Sequence, residues 1–227
     1  MKPPRIKPTV NVLYLPGTNC QAETTRAFAR AGASPRTIFL ADVISGKSRL
    51  DDADILCVPG GFSFGDHLGA GAVAALMLRT RLADQFRACA ERPMIGICNG
   101  FQIILRAGRF GSGVALKFND GGTFEDRPWQ RHVVAADNPS PWLAGLGGAT
   151  LRFPCAHGEG RFVYEQPGAW RTALTYPDGE SPDGSMDGIA GITSADGLAF
   201  GLMNHSERSQ NPEVQTAFFE NGVKAAR

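Results

Sequence analysis

Residues 94–102 read Met-Ile-Gly-Ile-Cys-Asn-Gly-Phe-Gln, and this order predicts a buried strand, a sharp turn and a helix in direct succession. The apolar run 94–97 is the strand, and Cys98 lies at the turn. Gly96 and Gly100 flank the cysteine two residues away on each side, as in the Gly-x-nucleophile-x-Gly turn of α/β enzymes. Because side chains at the two flanking positions would collide in so sharp a turn, glycine fits them best.

Cys98 is therefore the candidate nucleophile of the chain. The turn would push its sulfur out over the edge of the sheet, and the amino end of the helix behind it would favour a thiolate. The alternative is a buried core cysteine with two incidental glycines. The agreement of strand, glycines, cysteine and helix in one order favours the nucleophile.

The composition suits a globular enzyme rather than a nucleic-acid or membrane protein. The 227 residues, 43% of them hydrophobic, are enough for one large α/β domain, so we expect a single domain over residues 1–227. A net charge of +1 provides no electrostatic footprint for nucleic acid or an anionic membrane, and no apolar stretch reaches membrane-spanning length. The N-terminal residues carry no apolar signal region, and we expect a cytoplasmic protein.

The cysteines and histidines predict neither a disulfide framework nor a structural zinc site. The five cysteines are odd in number and form no Cys-x-x-Cys pair, and the four histidines have no metal-ligand spacing. We expect no metal and no cofactor in this chain. A reducing compartment would keep the thiols free, as a cysteine nucleophile requires.

Strand and helix patterns alternate through the first half, which predicts an α/β fold with a doubly wound, mostly parallel, flavodoxin-like sheet. Residues 111–129 then show no clear period, and short strand patterns follow that we expect to add a mixed or antiparallel region to the same sheet. The predicted strands are 10–15, 36–40, 55–58, 94–97, 132–135, 150–153, 161–164, 173–176, 189–193 and 198–203; the predicted helices are 21–31, one or two within 70–92, one after Cys98, and 213–221; residues 179–188 are predicted to be a loop.

A cysteine nucleophile needs a base and a group that orients the base. His205 follows the predicted strand 198–203 at its carboxyl end, as Cys98 follows its own strand. Because the carboxyl ends of parallel strands share one edge of a sheet, the two residues can meet despite their separation. Glu207 can accept the other ring N–H of His205 and fix its tautomer. The alternative for His205 is an ordinary exposed loop histidine.

Acyl transfer also needs hydrogen-bond donors for the developing oxyanion. The residue after the nucleophile, Asn99, can supply one through its backbone N–H. We expect the second from the Gly60-Gly61 pair, which ends the predicted strand 55–58 and lets the backbone approach a substrate closely. The alternative is a simple strand-end turn; a phosphate loop is excluded because no Gly-Lys-Ser/Thr follows. The residues alone thus predict a cysteine-dependent amide hydrolase.

The chain also resembles the class I, or triad, glutamine amidotransferases, and in detail the glutaminase subunits of phosphoribosylformylglycinamidine synthases. The turn around Cys98 by itself specifies only the superfamily, whereas the Phe-Ser-Phe-Gly-Asp and His-Gly-Glu-Gly-Arg sequences are similar to these subunits. The resemblance is carried by Pro-Gly-Thr-Asn-Cys (16–20), Pro-Gly-Gly-Phe-Ser-Phe-Gly-Asp (59–66), Gly-Ile-Cys-Asn-Gly-Phe-Gln (96–102), Ala-His-Gly-Glu-Gly-Arg (156–161), Gly-Leu-Met-Asn-His-Ser-Glu-Arg (201–208) and, more weakly, residues 183–192.

The resemblance implies that Cys98 attacks the side-chain amide of glutamine, that His205 protonates the leaving ammonia and then activates water, and that Glu207 orients His205. The ammonia would pass to a separate synthetase subunit, which would hold ATP and Mg²⁺ and aminate formylglycinamide ribonucleotide in purine biosynthesis. A small third subunit would complete the complex. The residues that the resemblance places near glutamine are Gln102, His157, Gly158 and Glu159.

Some positions depart from the family pattern. Asn204 and Ser206 stand where the family usually has prolines beside the catalytic histidine, and Phe64 stands where tyrosine is common. Since proline fixes φ, its absence would leave His205 less constrained. Three other interpretations stay open: an amidotransferase subunit for a related acceptor in a specialised pathway, a DJ-1-like protein, and a non-enzymatic binding protein on the same fold. DJ-1-like proteins usually have histidine directly after the cysteine, whereas this chain has Asn99.

Overall fold

Eleven strands and six α-helices occur in residues 7–177, 181–208 and 212–227, which are the residues that the computed structural model of the protein describes. The strands are β1 (Thr9–Tyr14), β2 (Ser34–Phe39), β3 (Ile55–Val58), β4 (Met94–Ile97), β5 (Val114–Lys117), β6 (Glu125–Val134), β7 (Thr150–His157), β8 (Arg161–Tyr164), β9 (Trp170–Thr175), β10 (Ile189–Ser194) and β11 (Ala199–Leu202). The helices are α1 (Gln21–Arg30), α2 (Leu40–Ile44), α3 (Ala72–Thr80), α4 (Ala83–Ala88), α5 (Asn99–Arg106) and α6 (Pro212–Ala225).

Five neighbouring strands of the main sheet are parallel, in the order β2-β1-β3-β4-β11. This is the strand order of flavodoxin-like, doubly wound sheets. Every residue of β3, β4 and β11 is buried. Since successive side chains of a strand point to opposite faces, both faces of these strands are covered. Helix α1 packs on β1 and against α6, whereas α5 packs on β3, β4 and β11 and against α3. The predicted doubly wound, mostly parallel sheet is confirmed.

Four more strands extend the sheet beyond β11, in the order β10-β9-β6-β7, and all of these pairings are antiparallel. This is the mixed or antiparallel addition that the sequence predicted. The main sheet thus has a parallel half, β2-β1-β3-β4-β11, and an antiparallel half, β10-β9-β6-β7.

Strands β6 and β7 are longer than the sequence predicted. β6 begins at Glu125, inside the stretch without a clear period, and β7 continues to His157 rather than ending near residue 153. The first half of β6 is mostly exposed, so no alternation of apolar and polar residues marks it. Its pairing with β7, which starts at Glu125 opposite His157, forms the strand instead.

Strand β8 was predicted to extend the main sheet, and this is wrong, because it pairs with β5 in a separate two-stranded sheet. Neither β5 nor the short helix α2 was predicted. Of the one or two helices predicted within 70–92, the structure has two, α3 and α4. The predicted loop 179–188 lies partly outside the described residues, and within its described part Met186–Gly188 forms a 3-10 helix.

The parallel half places several chain segments at one edge of the sheet. The segments that follow β1, β3, β4 and β11 contain Cys20, Gly60, Cys98 and His205, respectively. They converge because the carboxyl ends of parallel strands lie on the same side. Among the described residues, no helix is both long enough and apolar enough to span a membrane. A single domain over the whole chain stays a prediction.

Candidate active site

Cys98 connects β4 to α5 and adopts φ 52° and ψ −112°, a backbone conformation that is unfavourable for a residue with a side chain. The flanking glycines make this turn possible. A Cβ atom at Gly100 would lie 1.8 Å from the carbonyl oxygen of Val58, and one at Gly96 would lie 2.7 Å from the carbonyl oxygen of Gly100. The structure therefore contains the sharp strand-to-helix turn that the sequence predicted, with Cys98 at its apex.

Cys98 follows β4 in the parallel half of the sheet, and its side chain contacts β7 in the antiparallel half. Its thiol donates to the backbone carbonyl of Ala156 in β7, with Sγ and O 3.6 Å apart. The residue is largely buried, yet it lines two adjoining cavities. The thiol is thus held at the amino end of α5, where the helix dipole favours negative charge.

His205 and Glu207 form a buried pair beside Cys98. His205 Nδ1 lies 2.7 Å from Glu207 Oε1, and the two side chains are 3% and 0% exposed. The backbone N–H of His205 donates to the carbonyl of Pro154, which fastens the loop to β7. A Cβ atom at Gly60 would lie 2.9 Å from His205 Cε1 and 3.4 Å from Cys98 Cβ. The imidazole and the cysteine side chain therefore meet at the bare backbone of Gly60.

The charge on His205 is stabilised by its neighbours. Burial lowers the pKa of His205, but the Glu207 carboxylate and the Cys98 and Cys20 side chains raise it more, so its pKa lies well above its ordinary value. A protonated imidazole next to Cys98 is the arrangement in which a cysteine attacks as thiolate. The structure brings together the three predicted residues Cys98, His205 and Glu207 in the order that such chemistry needs.

Cys20 lies in the same site, although the sequence analysis did not place it there. Its Sγ is 3.9 Å from His205 Nδ1, and Arg208 Nη2 donates to it at 2.9 Å. Burial raises the pKa of Cys20 more than the hydrogen bond to His205 lowers it, which favours the neutral thiol. The signal was available, because Cys20 follows β1 at the edge where Cys98 and His205 follow their own strands.

One set of side chains could in principle hold a metal ion. The ligand atoms of Cys20, His205 and Glu207 lie within 4.8 Å of one another. However, Glu207 already occupies His205 Nδ1, and the Arg208 guanidinium on the Cys20 sulfur would repel a cation. The hydrogen bonds suit proton transfer at His205 better than metal binding. The expectation of no metal stays a prediction.

The backbone around Gly60, Gly61 and Asn99 closes the site on the side of β3. Gly61 has φ 151°, and a Cβ atom on it would lie 2.7 Å from the carbonyl of Gly17. The backbone N–H of Asn99 starts α5 directly after Cys98 and is one of the helix-end groups without an intrahelical acceptor. Gly61 and Cys98 line the same two cavities. These groups lie where oxyanion donors would be needed, and that role stays a prediction.

The Asn99 side chain holds the segment after β3 against α5. Its Oδ1 accepts from the backbone N–H of Ser63 at 3.1 Å, and its Nδ2 donates to Asp66 at 3.2 Å and to Gln102 Oε1 at 2.9 Å. Because Asn99 is buried, these bonds also satisfy its amide. The loop that carries Gly60 and Gly61 is thereby fixed relative to Cys98.

A cavity of about 110 Å³ opens next to Cys98, and all four residues predicted to contact glutamine line it. Gln102 Nε2 donates to the backbone carbonyl of Glu159 at 2.9 Å. The Glu159 carboxylate accepts from the backbone N–H of Ala70 and pairs with Arg106 at 3.5 Å. Besides these four, the lining includes Phe62, Asp66, Phe118, Phe124 and Ala156.

His157 and Asp66 both line this cavity, but only His157 was predicted there. The ring of His157 is buried, and its Nδ1 lies 3.3 Å from Asn119 Oδ1, so the side chain braces the loop that lines the cavity. Asp66, which was not predicted as a site residue, lines the cavity with a half-buried carboxylate. Burial raises the pKa of Asp66, and nearby Glu159 raises it further. Like Cys20, Asp66 lies in a segment that follows a parallel strand at its carboxyl end, and this position could have indicated a site residue.

Comparisons with known proteins agree with this geometry. The family of CobB/CobQ-like glutamine amidotransferase domains matches residues 7–224. Subunit PurQ of phosphoribosylformylglycinamidine synthase from Pyrobaculum aerophilum is 40% identical over 207 residues, 90% of each chain. The PurQ subunit from Pyrococcus furiosus is 36% identical over 209 residues, 88% of each chain. A chain in the structure of PurLQS from Thermotoga maritima is 33% identical, with a TM-score of 0.80 over 97% of both chains.

The chain therefore belongs to the glutamine amidotransferases and, within them, to the family of PurQ subunits.

Proposed function

We propose that this chain is the glutaminase subunit of a phosphoribosylformylglycinamidine synthase and acts in de novo purine biosynthesis. The observation that carries the proposal is the meeting of Cys98 with the buried His205–Glu207 pair at one edge of the sheet. The chain's identity of 36–40% to PurQ subunits over most of its length supports the particular acceptor.

The reaction proceeds through a γ-glutamyl thioester. The Cys98 thiolate attacks the side-chain carbonyl carbon of glutamine, and the charge that develops on oxygen meets the backbone N–H groups of Asn99 and Gly61. Protonated His205 passes its proton to the amide nitrogen, the C–N bond breaks, and ammonia leaves. His205 then takes a proton from water, which attacks the thioester and releases glutamate and the thiol. Glu207 keeps the imidazole in one tautomer throughout.

The cavity beside Cys98 accommodates the amino-acid end of glutamine. Its lining includes the carboxylates of Asp66 and Glu159, which match the positive α-ammonium group of a free amino acid. The side chain of the substrate then extends toward the sulfur of Cys98. A glutamine residue within a peptide lacks this ammonium group, so the cavity favours free glutamine.

The ammonia passes to a separate synthetase subunit, which holds ATP and Mg²⁺ and aminates formylglycinamide ribonucleotide; a small third subunit joins the complex, and the assembly is cytoplasmic.

Exposed aromatic side chains at the mouth of the cavity support a partner that covers this surface. Phe62, Phe118 and Phe124 are 48%, 71% and 51% exposed, and large exposed apolar groups clustered at one place mark interaction sites.

The test is reconstitution of the chain with its synthetase, ATP and formylglycinamide ribonucleotide. The Cys98→Ala variant is expected to abolish synthesis from glutamine and to leave synthesis from added ammonia unchanged. Cys20→Ser is the matched control, since it changes another buried thiol at the same edge, and it is expected to retain most of the glutamine-dependent rate. Loss of both activities in Cys98→Ala would mean structural damage, and an equal defect in Cys20→Ser would assign the wrong nucleophile.

The specialised-pathway alternative is tested in the same assay by replacing the ribonucleotide with related acceptors that carry an amide or formamide group. Faster amination of another acceptor would reject the purine assignment and keep the glutaminase. Labelling of Cys98 by a glutamine-like chloroketone separates an enzyme from a binding protein. Failure to label Cys98 in the presence of the synthetase would support the binding protein.

A further inference from the structure

We propose that Asn204 is a positioning residue: its buried side chain ties the loop of His205 to His132 by a hydrogen bond and lies against His157, so that the base keeps one position beside the wall of the glutamine cavity. The proposal deepens the proposed function and rests on it. Asn204 precedes His205 directly and stands where the family usually has proline.

The first contact joins Asn204 to the antiparallel half of the sheet. Asn204 Nδ2 lies 2.9 Å from His132 Nε2, and the two residues are 1% and 0% exposed. Burial lowers the pKa of His132 to about 3, so the ring is neutral and its Nε2 can accept the amide hydrogen. The His132 ring is itself fixed, because it packs between Phe153 and Tyr176 with ring centroids 5.4 Å away on each side.

The second contact joins Asn204 to the loop that lines the cavity. Burial lowers the pKa of His157 more than the nearby Asn204 side chain raises it, but neither Asn204 Oδ1 nor His157 Nε2 has a hydrogen-bond partner among the described residues. Asn119 holds His157 from the far side, since Asn119 Nδ2 donates to the His157 carbonyl at 2.8 Å. A displacement of Asn204 would therefore reach the residues at 157–159 that line the cavity.

The backbone of the loop is fastened separately. His205 N–H donates to the carbonyl of Pro154, and Arg208 N–H donates to the carbonyl of His205. These two bonds join the loop to β7 and close its turn, whereas its link to β6 is made by the Asn204 side chain. A proline at 204 would restrict the loop through its own φ. Asn204 instead restrains it through the hydrogen bond to His132, so in this chain the position of His205 depends on His132 and on β6.

Asn204 does not contact the reacting groups, because other side chains surround the His205 ring. Glu207 and Cys20 contact His205 Nδ1, and Cys98 contacts the imidazole. The Asn204 side chain is hydrogen-bonded to His132 and takes no part in these contacts, so it touches neither the reacting atoms nor the bond between His205 and Glu207. Its effect on the reaction must pass through the position of the loop.

The main measurement is the rate at which iodoacetamide alkylates Cys98, followed by mass spectrometry of the Cys98 peptide from pH 5 to 10. This rate reports the imidazole beside the sulfur and needs neither glutamine nor a partner. We expect Asn204→Ala to slow alkylation at pH 7 about tenfold, the effect of one lost buried hydrogen bond, and to shift the pH profile. Ser206→Ala is the matched control: it is the other neighbour of His205, and its buried hydroxyl has no partner among the described residues.

A second variant removes the same hydrogen bond from the other side. His132→Phe keeps an aromatic ring between Phe153 and Tyr176 but offers no acceptor to Asn204. It is expected to slow Cys98 alkylation to a similar extent, and the double variant is expected to be no slower than either single variant, since one contact is lost in all three. The His132→Phe result decides the proposal if Asn204→Ala does not fold.

Unchanged alkylation and an unchanged pH profile in Asn204→Ala and His132→Phe would overturn the proposal, even if their thermal stability fell, because a purely structural role would lower stability alone. Slowing by Ser206→Ala as large as that by Asn204→Ala would overturn it as well. Absence of glutamine hydrolysis in the wild-type complex would reject the proposed function, whereas the alkylation profiles would still decide the position of His205.

Discussion

The parallel and antiparallel halves of the main sheet divide the work of the active site. The parallel half supplies the reacting groups, since Cys98 and His205 follow β4 and β11 at one edge. The antiparallel half supplies support: Pro154 and Ala156 of β7 bind the His205 backbone and the Cys98 thiol, and His132 of β6 holds Asn204. Parallel strands collect reactive groups at their carboxyl ends, and the added strands hold those groups in place from the side.

The largest loss of activity is expected from removing His205, the general base that follows β11 in the parallel half. His205→Ala should lower glutamine turnover in the reconstituted complex by about 10⁵-fold or more, because members of a triad act as a unit. Synthesis from added ammonia should be unchanged, and it serves as the control for assembly. A glutamine-dependent rate near that of the wild type would remove His205 from the mechanism and assign the chemistry to another part of the molecule.

The next largest loss of activity is expected from replacing Glu207, which is hydrogen-bonded to His205. Glu207→Gln should lower turnover about 10⁴-fold, as the loss of an orienting carboxylate does in related triads. It also removes the main attraction that raises the pKa of His205.

The same substitution should change how stability depends on pH. A pKa raised in the folded state contributes stability below the ordinary histidine value of 6.5, and this contribution is lost as pH rises through the raised folded pKa. The difference in unfolding free energy between wild type and Glu207→Gln should therefore be largest at or below pH 6.5 and shrink at higher pH. Urea unfolding across this range measures it, and a difference that grows with pH would contradict the assignment.

The turn between β4 and α5 in the parallel half is expected to tolerate no side chain at Gly100. Gly100→Ala should destabilise the fold by about 3 kcal/mol or more, because the added Cβ would lie 1.8 Å from the Val58 carbonyl oxygen. Gly121→Ala is the matched control, since the nearest atom to its Cβ would be the Thr123 hydroxyl at 3.6 Å. Denaturant midpoints measure both. Equal midpoints would show that the turn is less crowded than the structure indicates.

The smallest effect is expected in the antiparallel half, away from the site. Arg152 stacks on the half-exposed ring of Trp129, with its guanidinium carbon 4.9 Å from the ring centroid. Trp129→Ala should cost about 1 kcal/mol of stability or less and leave Cys98 alkylation unchanged. A large loss of reactivity would mean that the exposed part of β6 also positions the site, and the division between the halves would be less sharp.

The chemistry at the sheet edge was largely predictable, because the relevant signals are local. The glycines around Cys98 reveal the turn through sterics, and His205 with Glu207 follows a continuous apolar run. Cys20 and Asp66 carry the same positional signal and were still overlooked as site residues. Asn204 was noticed only as a missing proline, because its hydrogen bond to His132 joins residues 72 positions apart.

The residue pattern alone specifies most of the parallel half: apolar runs of strand length, the helices between them other than α2, and the glycine turn at Cys98 follow from burial and backbone sterics. By contrast, contacts between distant segments set the pairing of β8 with β5 outside the main sheet and the start of β6 at the polar residue Glu125. They also place His132, from the antiparallel half, behind the loop of His205. These features depend on pairing between distant segments, which no local period encodes.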